Sequence, residues 1–158
     1  MFGIGKIFGK KEKPDMALLV DGPNILRKAF SIDLTEIKRE LVKHGNIRVA
    51  KIYLDQFASE KLIEAMINQG FETIITTGDV DVTMAIEAME QALDPNIDIL
   101  TLMTRDTDYR PVLVKAKARG KKTMIVATDI AFSAALRNTA DKIIIYKGAG
   151  SFETILND

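Results

Sequence analysis

Six short runs rich in aliphatic and β-branched residues alternate with amphipathic helical patterns along this chain. They are "MALLV" (16–20), "IRVAKIYL" (47–54), "FETIITT" (71–77), "IDILTLMT" (97–104), "KTMIVAT" (122–128) and "KIIIY" (142–146). Most are nearly continuous in apolar residues, the pattern of strands covered on both faces. Between them, "DLTEIKRELVKHG" spaces Leu34, Ile37, Leu41 and Val42 by three and four residues and stops at Gly45. "SEKLIEAMINQG" repeats the pattern and opens on Ser59, a suitable N-cap. "VTMAIEAMEQAL", "YRPVLVKAKARG" and the short "AFSAALRNTA" follow. Such alternation predicts an α/β fold: a three-layer α/β/α sandwich whose central sheet is mainly parallel and joined by right-handed crossovers. The expected strand order is 3-2-1-4-5, with the strand at 142–146 beyond the fifth.

No repeat, low-complexity tract or linker interrupts this pattern, so residues 16–147 are expected to form one domain. The first 15 residues, basic and carrying glycine at 3, 5 and 9, read as a disordered N-terminal tail, since glycine weakens a helix. Residues 148–158 read as a C-terminal tail. A membrane-surface arm is the alternative reading of the start. No apolar run approaches the roughly 20 residues of a membrane span, and no secretory signal is recognisable. Stable membrane insertion is therefore not expected, and a cytoplasmic location is. Self-association into a homo-oligomer is left open.

Composition narrows the chemistry. Lysine plus arginine equals aspartate plus glutamate at 22 each, so any surface that attracts nucleic acid must be local. With no cysteine, thiolate nucleophiles and thiolate metal sites are excluded. The single histidine, His44, precedes Gly45 at a predicted helix end and reads as a capping or solvated residue. A serine–histidine triad or a histidine-rich zinc site is accordingly not expected.

Parallel topology gathers the carboxyl ends of all strands on one rim, with a binding crevice where the strand order reverses. Acids stand there repeatedly. Asp21 follows the first strand in "DGPN", Asp79 and Asp81 follow the third in "GDVD", and Asp106 and Asp108 follow the fourth in "RDTD". If the first and fourth strands are neighbours, Asp21 and Asp106 are close. The connection from the third strand to the fourth can carry Asp79 or Asp81 over the same crevice. Carboxylates gathered in this way either raise their pKa values or bind a cation. Oxygen donors without sulfur or imidazole point to Mg²⁺ or Mn²⁺. Either Asp79 or Asp81 can instead cap the following helix. Asn24 can cap a turn or hold Asp21 by hydrogen bonds. Asp55 and Asp129 read as ordinary loop residues. Glu87, about 120° round the third helix from Asp81, reads as part of a solvated face.

These stretches resemble NYN domains of the PIN-like nuclease superfamily. "ALLVDGPNIL" is similar to their first motif, a strand ending in Asp-Gly-x-Asn. "GDVDVTMAIEAM" resembles the second, and "LMTRDTDYRPVL" the third, usually Ser-Gly-Asp-Ser-Asp-Phe followed by Pro and apolar residues. "ARGKKTMIVA" and "TADKIIIY" resemble the closing strands of the LabA-like branch. The resemblance spans residues 16–147. It implies a PIN-like fold and a Mg²⁺- or Mn²⁺-dependent ribonuclease in which Asp21, Asp81, Asp106 and Asp108 are the catalytic and metal-holding acids. Asp81 matches the second acid better than Asp79. Asn24, Asp79 and Thr104 fall to supporting roles. Arg105 stands in place of the usual glycine, and Glu87 where many relatives carry aspartate.

The flanking cations Arg27, Lys28, Arg105 and Arg110 are the candidates to grip an RNA backbone. The later cluster Lys115, Lys117, Arg119, Lys121 and Lys122 reads as a solvated helix end. A haloacid-dehalogenase-like phosphatase needs a second aspartate where Pro23 stands, and a phospho-receiver domain fits the single Asp21 poorly. The rival from another class is a noncatalytic RNA- or protein-binding module on the same fold.

Overall fold

The computed structural model describes residues 13–26, 32–128 and 133–157. The N-terminal tail up to residue 12, Arg27, Lys28 and Asp129 lie outside them. Among the described residues, seven strands form one sheet: β1 (Asp15–Asp21), β2 (Asn46–Asp55), β3 (Glu72–Thr76), β4 (Ile99–Met103), β5 (Lys122–Ala127), β6 (Lys142–Gly148) and β7 (Ser151–Leu156). Their order is β3-β2-β1-β4-β5-β6-β7. Every neighbouring pair is parallel except β6–β7. The expected order thus holds through the sixth strand, while the edge beyond it belongs to β7. Residues 148–158 are not simply a tail, because most of them form this hairpin strand. The turn that builds it, Gly148-Ala149-Gly150, has positive φ at all three residues, a conformation that glycine adopts at little cost. Phe152 then seats against Tyr146 with ring centroids 5.2 Å apart.

Among the described residues, six α-helices cover the two faces. On one lie α1 (Gly22–Ile25), α2 (Leu34–Leu41) and α3 (Glu60–Asn68). On the other lie α4 (Val80–Leu93), α5 (Arg110–Ala118) and α6 (Ala134–Thr139). Each face has its own core. Leu18, Val20, Ile52 and Leu54 pack with Ile25, Leu34, Ile37, Leu41 and Met66. Leu19, Leu100, Leu102 and Ile125 pack with Met84, Ala88, Leu113 and Leu136. The alternation Leu18/Leu19/Val20 between the two cores is the two-residue period of a strand buried on both sides. Each such aliphatic side chain contributes about 1.5–3 kcal/mol of burial. Helix starts follow local chemistry. The Asp33 carboxylate accepts from the Thr35 and Glu36 N–H groups, and the Ser59 hydroxyl accepts from Leu62 N–H.

The order reverses at β1. The chain steps from β1 outward to β2 and β3, then crosses back through α4 to place β4 on the opposite side of β1. Val20 pairs with Met103, so the carboxyl ends of β1 and β4 are adjacent. A crevice is expected at such a switch point.

Candidate active site

Asp21 is the last residue of β1 and is only 1 % exposed. The chain turns sharply after it. A Cβ on Gly22 would collide with the Tyr53 carbonyl and the Leu54 side chain, so only glycine lets α1 start against β2. Pro23 occupies the first turn of α1, where a missing N–H costs nothing. Asn24 is thereby brought round so that its amide donates to Asp21 Oδ2 at 2.6 Å. From the neighbouring strand end, the fully buried Thr104 hydroxyl donates to the same oxygen at 3.0 Å. Thr104 Oγ1 in turn accepts the N–H of Asp106 at 3.1 Å, and Asp106 Oδ1 accepts the N–H of Asp108 at 2.9 Å. One continuous chain of hydrogen bonds therefore links Asn24, Asp21, Thr104, Asp106 and the 3₁₀ turn Thr107–Tyr109. The supporting roles expected of Asn24 and Thr104 have this physical content.

Asp81 arrives from the first turn of α4. Carboxylate oxygens of Asp81, Asp106 and Asp108 all lie within 4.8 Å of one another, the first two half-buried and the third exposed. Asp21 is outside this close trio but shares a cleft of about 300 Å³ with Asp81 and Asp106. Asn24, Asp55, Gly78 and Asp79 complete the cleft's polar lining. Asp79 holds the N-cap position of α4, yet its side chain makes no capping hydrogen bond.

Electrostatics follow from this crowding. Burial pushes the Asp21 carboxyl above the usual aspartate range, and the nearby Asp106 charge adds to the rise. The hydrogen bonds from Asn24 and Thr104 oppose it. Tyr109, 1 % exposed, has its phenol pushed up by burial and then by the charges of Asp21, Asp81 and Asp106. Among the described residues, no lysine or arginine forms an ion pair with Asp21, Asp81, Asp106 or Asp108. All-oxygen donors with unbalanced negative charge are the donor set of a hard divalent cation.

Two expectations need correction. Asp55 is not an ordinary loop residue: as the last residue of β2 it lines the cleft, and it also accepts Phe57 N–H at 2.9 Å. Its place at a strand end beside β1 was the signal. Nor does Glu87 lie on a solvated face. It is half-buried, paired with Lys51 of β2 and bonded by Gln91. Burial alone would raise its pKa, but the Lys51 and Gln91 contacts hold it below the usual range. Glu87 is thus spent on fixing α4 to the sheet. Of the candidate phosphate-gripping cations, Arg105 is half-buried next to Asp106, and Arg110 is exposed with Nε donating to Thr139 Oγ1 at 3.1 Å. In the later cluster, Lys117 is exposed, as a solvated helix end predicts, while its ammonium donates to the Thr139 carbonyl; Lys121 is half-buried and donates to the carbonyls of Asp94 and Ile97.

Comparison with known proteins extends this picture. The NYN domain matches residues 15–147. An uncharacterized protein of Methanocaldococcus jannaschii is 51 % identical over 135 residues, which make up 85 % of this chain and 56 % of that protein. The chain thus spans little more than half the length of that relative. A crystal structure of a protein of unknown function from Vibrio parahaemolyticus has the same fold. It aligns with a TM-score of 0.76 at 20 % identity, covering 91 % of this chain and 99 % of the other.

Proposed function

The chain belongs to the NYN domain family, whose members are typically nucleases, and on that premise we propose that it is a ribonuclease hydrolysing RNA phosphodiester bonds with Mg²⁺ or Mn²⁺. The observation that carries this reading is the convergence of Asp81, Asp106 and Asp108 within 4.8 Å, with no ion pair to any of them among the described residues. These three would hold the ion. Asp21, held in place by Asn24 and Thr104, completes the acidic set from the wall of the cleft. When bound, the ion supplies the positive charge that lets an anionic nucleophile approach an anionic diester. Asp21 itself is buried, so its own charge interactions are less screened by solvent than those of the half-buried Asp81 and Asp106 and the exposed Asp108. Asp79 and Asp55 line the same cleft and add to its negative charge. Arg105 and Arg110 take the neighbouring phosphates of the strand, a grip that weakens as salt rises. No helix among the described residues is long and apolar enough to cross a membrane. The cytoplasmic location proposed here rests on the ribonuclease reading alone.

Single-turnover cleavage of a labelled RNA in Mg²⁺, Mn²⁺ or EDTA tests the reading. Cleavage is expected with either ion and is expected to stop in EDTA. Cleavage that survives EDTA rejects the metal mechanism. RNA binding without cleavage in either ion puts the noncatalytic module in its place.

A further inference from the structure

At the rim opposite the acidic cleft, a cavity of about 320 Å³ opens where β1, β4, β5 and β6 begin. That volume lies at the low end of the roughly 300–1,000 Å³ of small-molecule sites. Its apolar lining is Pro14 with the buried Ile99 and Met124. The chain just after α2 closes one side. Gly45 comes so near that a Cβ there would lie 2.8 Å from the Pro14 carbonyl oxygen and 3.3 Å from the Ile99 side chain. The Asn46 N–H donates to the same carbonyl at 2.8 Å, so His44 is held at the cavity wall. On the other side, Lys122 N–H donates to the Asp98 carbonyl at 3.0 Å and Asp141 N–H to the Thr123 carbonyl at 3.1 Å.

Two acids and two lysines line this cavity, and their partners differ. Asp98 Oδ2 accepts the Asp15 N–H, while Asp141 accepts from Thr123 and faces the Lys117 ammonium at 3.7 Å. Neither Lys122 nor Lys142 forms an ion pair among the described residues. The half-buried Lys142 donates instead to His44 Nδ1 at 3.0 Å. An ammonium has no lone pair, so Nδ1 accepts and the ring proton sits on Nε2, a further donor. Burial and then the Lys142 charge push His44 below the usual histidine range, so the ring stays neutral and offsets none of the lysine's charge. We propose that this cavity binds a small organic anion, its charged oxygens held by Lys142 and Lys122 and its apolar body covering Ile99 and Met124. A cationic ligand would meet two lysines, and an uncharged one would leave their charge unmet. The cavity shares no lining residue with the acidic cleft, so the proposal does not rest on the ribonuclease reading.

The test is a nuclear magnetic resonance titration of the full chain with its isoleucine and methionine methyls labelled with carbon-13. The probes are 2-naphthoate, 2-naphthyl phosphate, naphthalene-2-carboxamide and inorganic phosphate. Both naphthyl anions should shift the Ile99 and Met124 methyls saturably and leave those of Ile25 and Met84 still; the tighter of the two names the head group. The carboxamide keeps the apolar body without the charge and should bind about tenfold more weakly, the loss of one charge-assisted contact. Inorganic phosphate keeps the charge without the body and should bind more weakly than either naphthyl anion. Lys142→Met keeps the apolar stem and removes the ammonium. It should weaken the naphthyl anions about tenfold and leave the carboxamide unchanged. The proposal is overturned if neither naphthyl anion shifts Ile99 and Met124, or if the carboxamide or inorganic phosphate binds there as tightly as they do. Undiminished binding of the anions to a folded Lys142→Met chain also overturns it. The comparison of probes on the parent chain decides the matter even if Lys142→Met fails to fold.

Discussion

At the amino rim of the sheet, Asp15, Asp98 and Asp141 stand at the start of β1, β4 and β6. At the carboxyl rim, Asp21, Asp81, Asp106 and Asp108 stand at or after strand ends. The residue type is the same, but its partners are not. Asp98 Oδ2 accepts the N–H of Asp15 at 2.8 Å. Asp141 Oδ2 accepts both the N–H and the hydroxyl of Thr123, at 2.8 and 3.0 Å, with the Lys117 ammonium 3.7 Å from its other oxygen. Asp15 faces Arg48 at 3.4 Å. Each of these carboxylates satisfies a backbone group or a cation at a strand start. The carboxyl-rim acids face one another instead, held by Asn24, Thr104 and a turn N–H, with no ion pair among the described residues. A cavity of about 320 Å³ does open at the amino rim beside His44, Ile99, Met124 and Lys142, but the two acids lining it, Asp98 and Asp141, are already engaged. A place at a strand end brings an acid to a rim, as it does Asp55, but the charge its neighbours leave unmet is what points to chemistry.

Substitutions at the two rims should separate these roles. The largest effect is expected from Asp106→Asn, which keeps the shape but removes a charge from the trio. Single-turnover cleavage should fall by roughly two orders of magnitude or more, on the scale of losing one oxyanion-type contact, with the melting temperature held. Asp81→Asn should behave alike, and Asp79→Asn should be milder. Asp141→Ala should do the opposite. It strands the N–H and hydroxyl of the fully buried Thr123, at a cost of about 1–3 kcal/mol in denaturant unfolding, while cleavage per folded molecule stays at the parent rate. A smaller effect, and one of reversed sign, is expected of Asp21→Asn in EDTA. Because the folded-state pKa of Asp21 is raised, the folded chain binds more protons than the unfolded chain between pH 3.8 and that higher value. The parent therefore loses stability as pH rises through this window. The Asn chain escapes the loss, so it should melt higher than the parent at neutral pH, and the two should converge below pH 3.8. A parent that instead gains on Asp21→Asn as pH rises would show that Asp21 is stabilised as a carboxylate.

The parallel fold and the rim of acids were legible in the sequence for one reason. Runs such as "MALLV" and "IDILTLM" permit burial on both faces only in a parallel sheet, and a parallel sheet puts the residues that follow them on one edge. Asp21 and Asp106, with either Asp79 or Asp81, could therefore be gathered from the sequence alone, and the family resemblance favoured Asp81. What escaped depends on partners distant in sequence. Glu87 looks solvent-facing on its own helix, and only the β2 pairing brings Lys51 to it. Asp55 acquires meaning from the cleft, not from its loop. β7 was hidden because "SFETIL" is half-exposed and too short to announce itself, and its evidence lay in the Gly-Ala-Gly turn before it. That Asp21 stands apart from the close trio is a matter of a few ångströms, which spacing alone does not carry. The unpartnered Tyr109 hydroxyl is likewise invisible until burial is known.

The central claim is that unmet charge at the carboxyl rim, and not the mere presence of acids, makes a cation site. Titrating Mn²⁺ into the chain and following the loss of the free-ion electron paramagnetic resonance signal tests it most directly. The parent and Asp141→Asn chains should take up the ion equally, while Asp106→Asn should take up little at the same concentration. Uptake by Asp106→Asn equal to that of the parent, or uptake lost in Asp141→Asn while its fold is kept, would contradict the account.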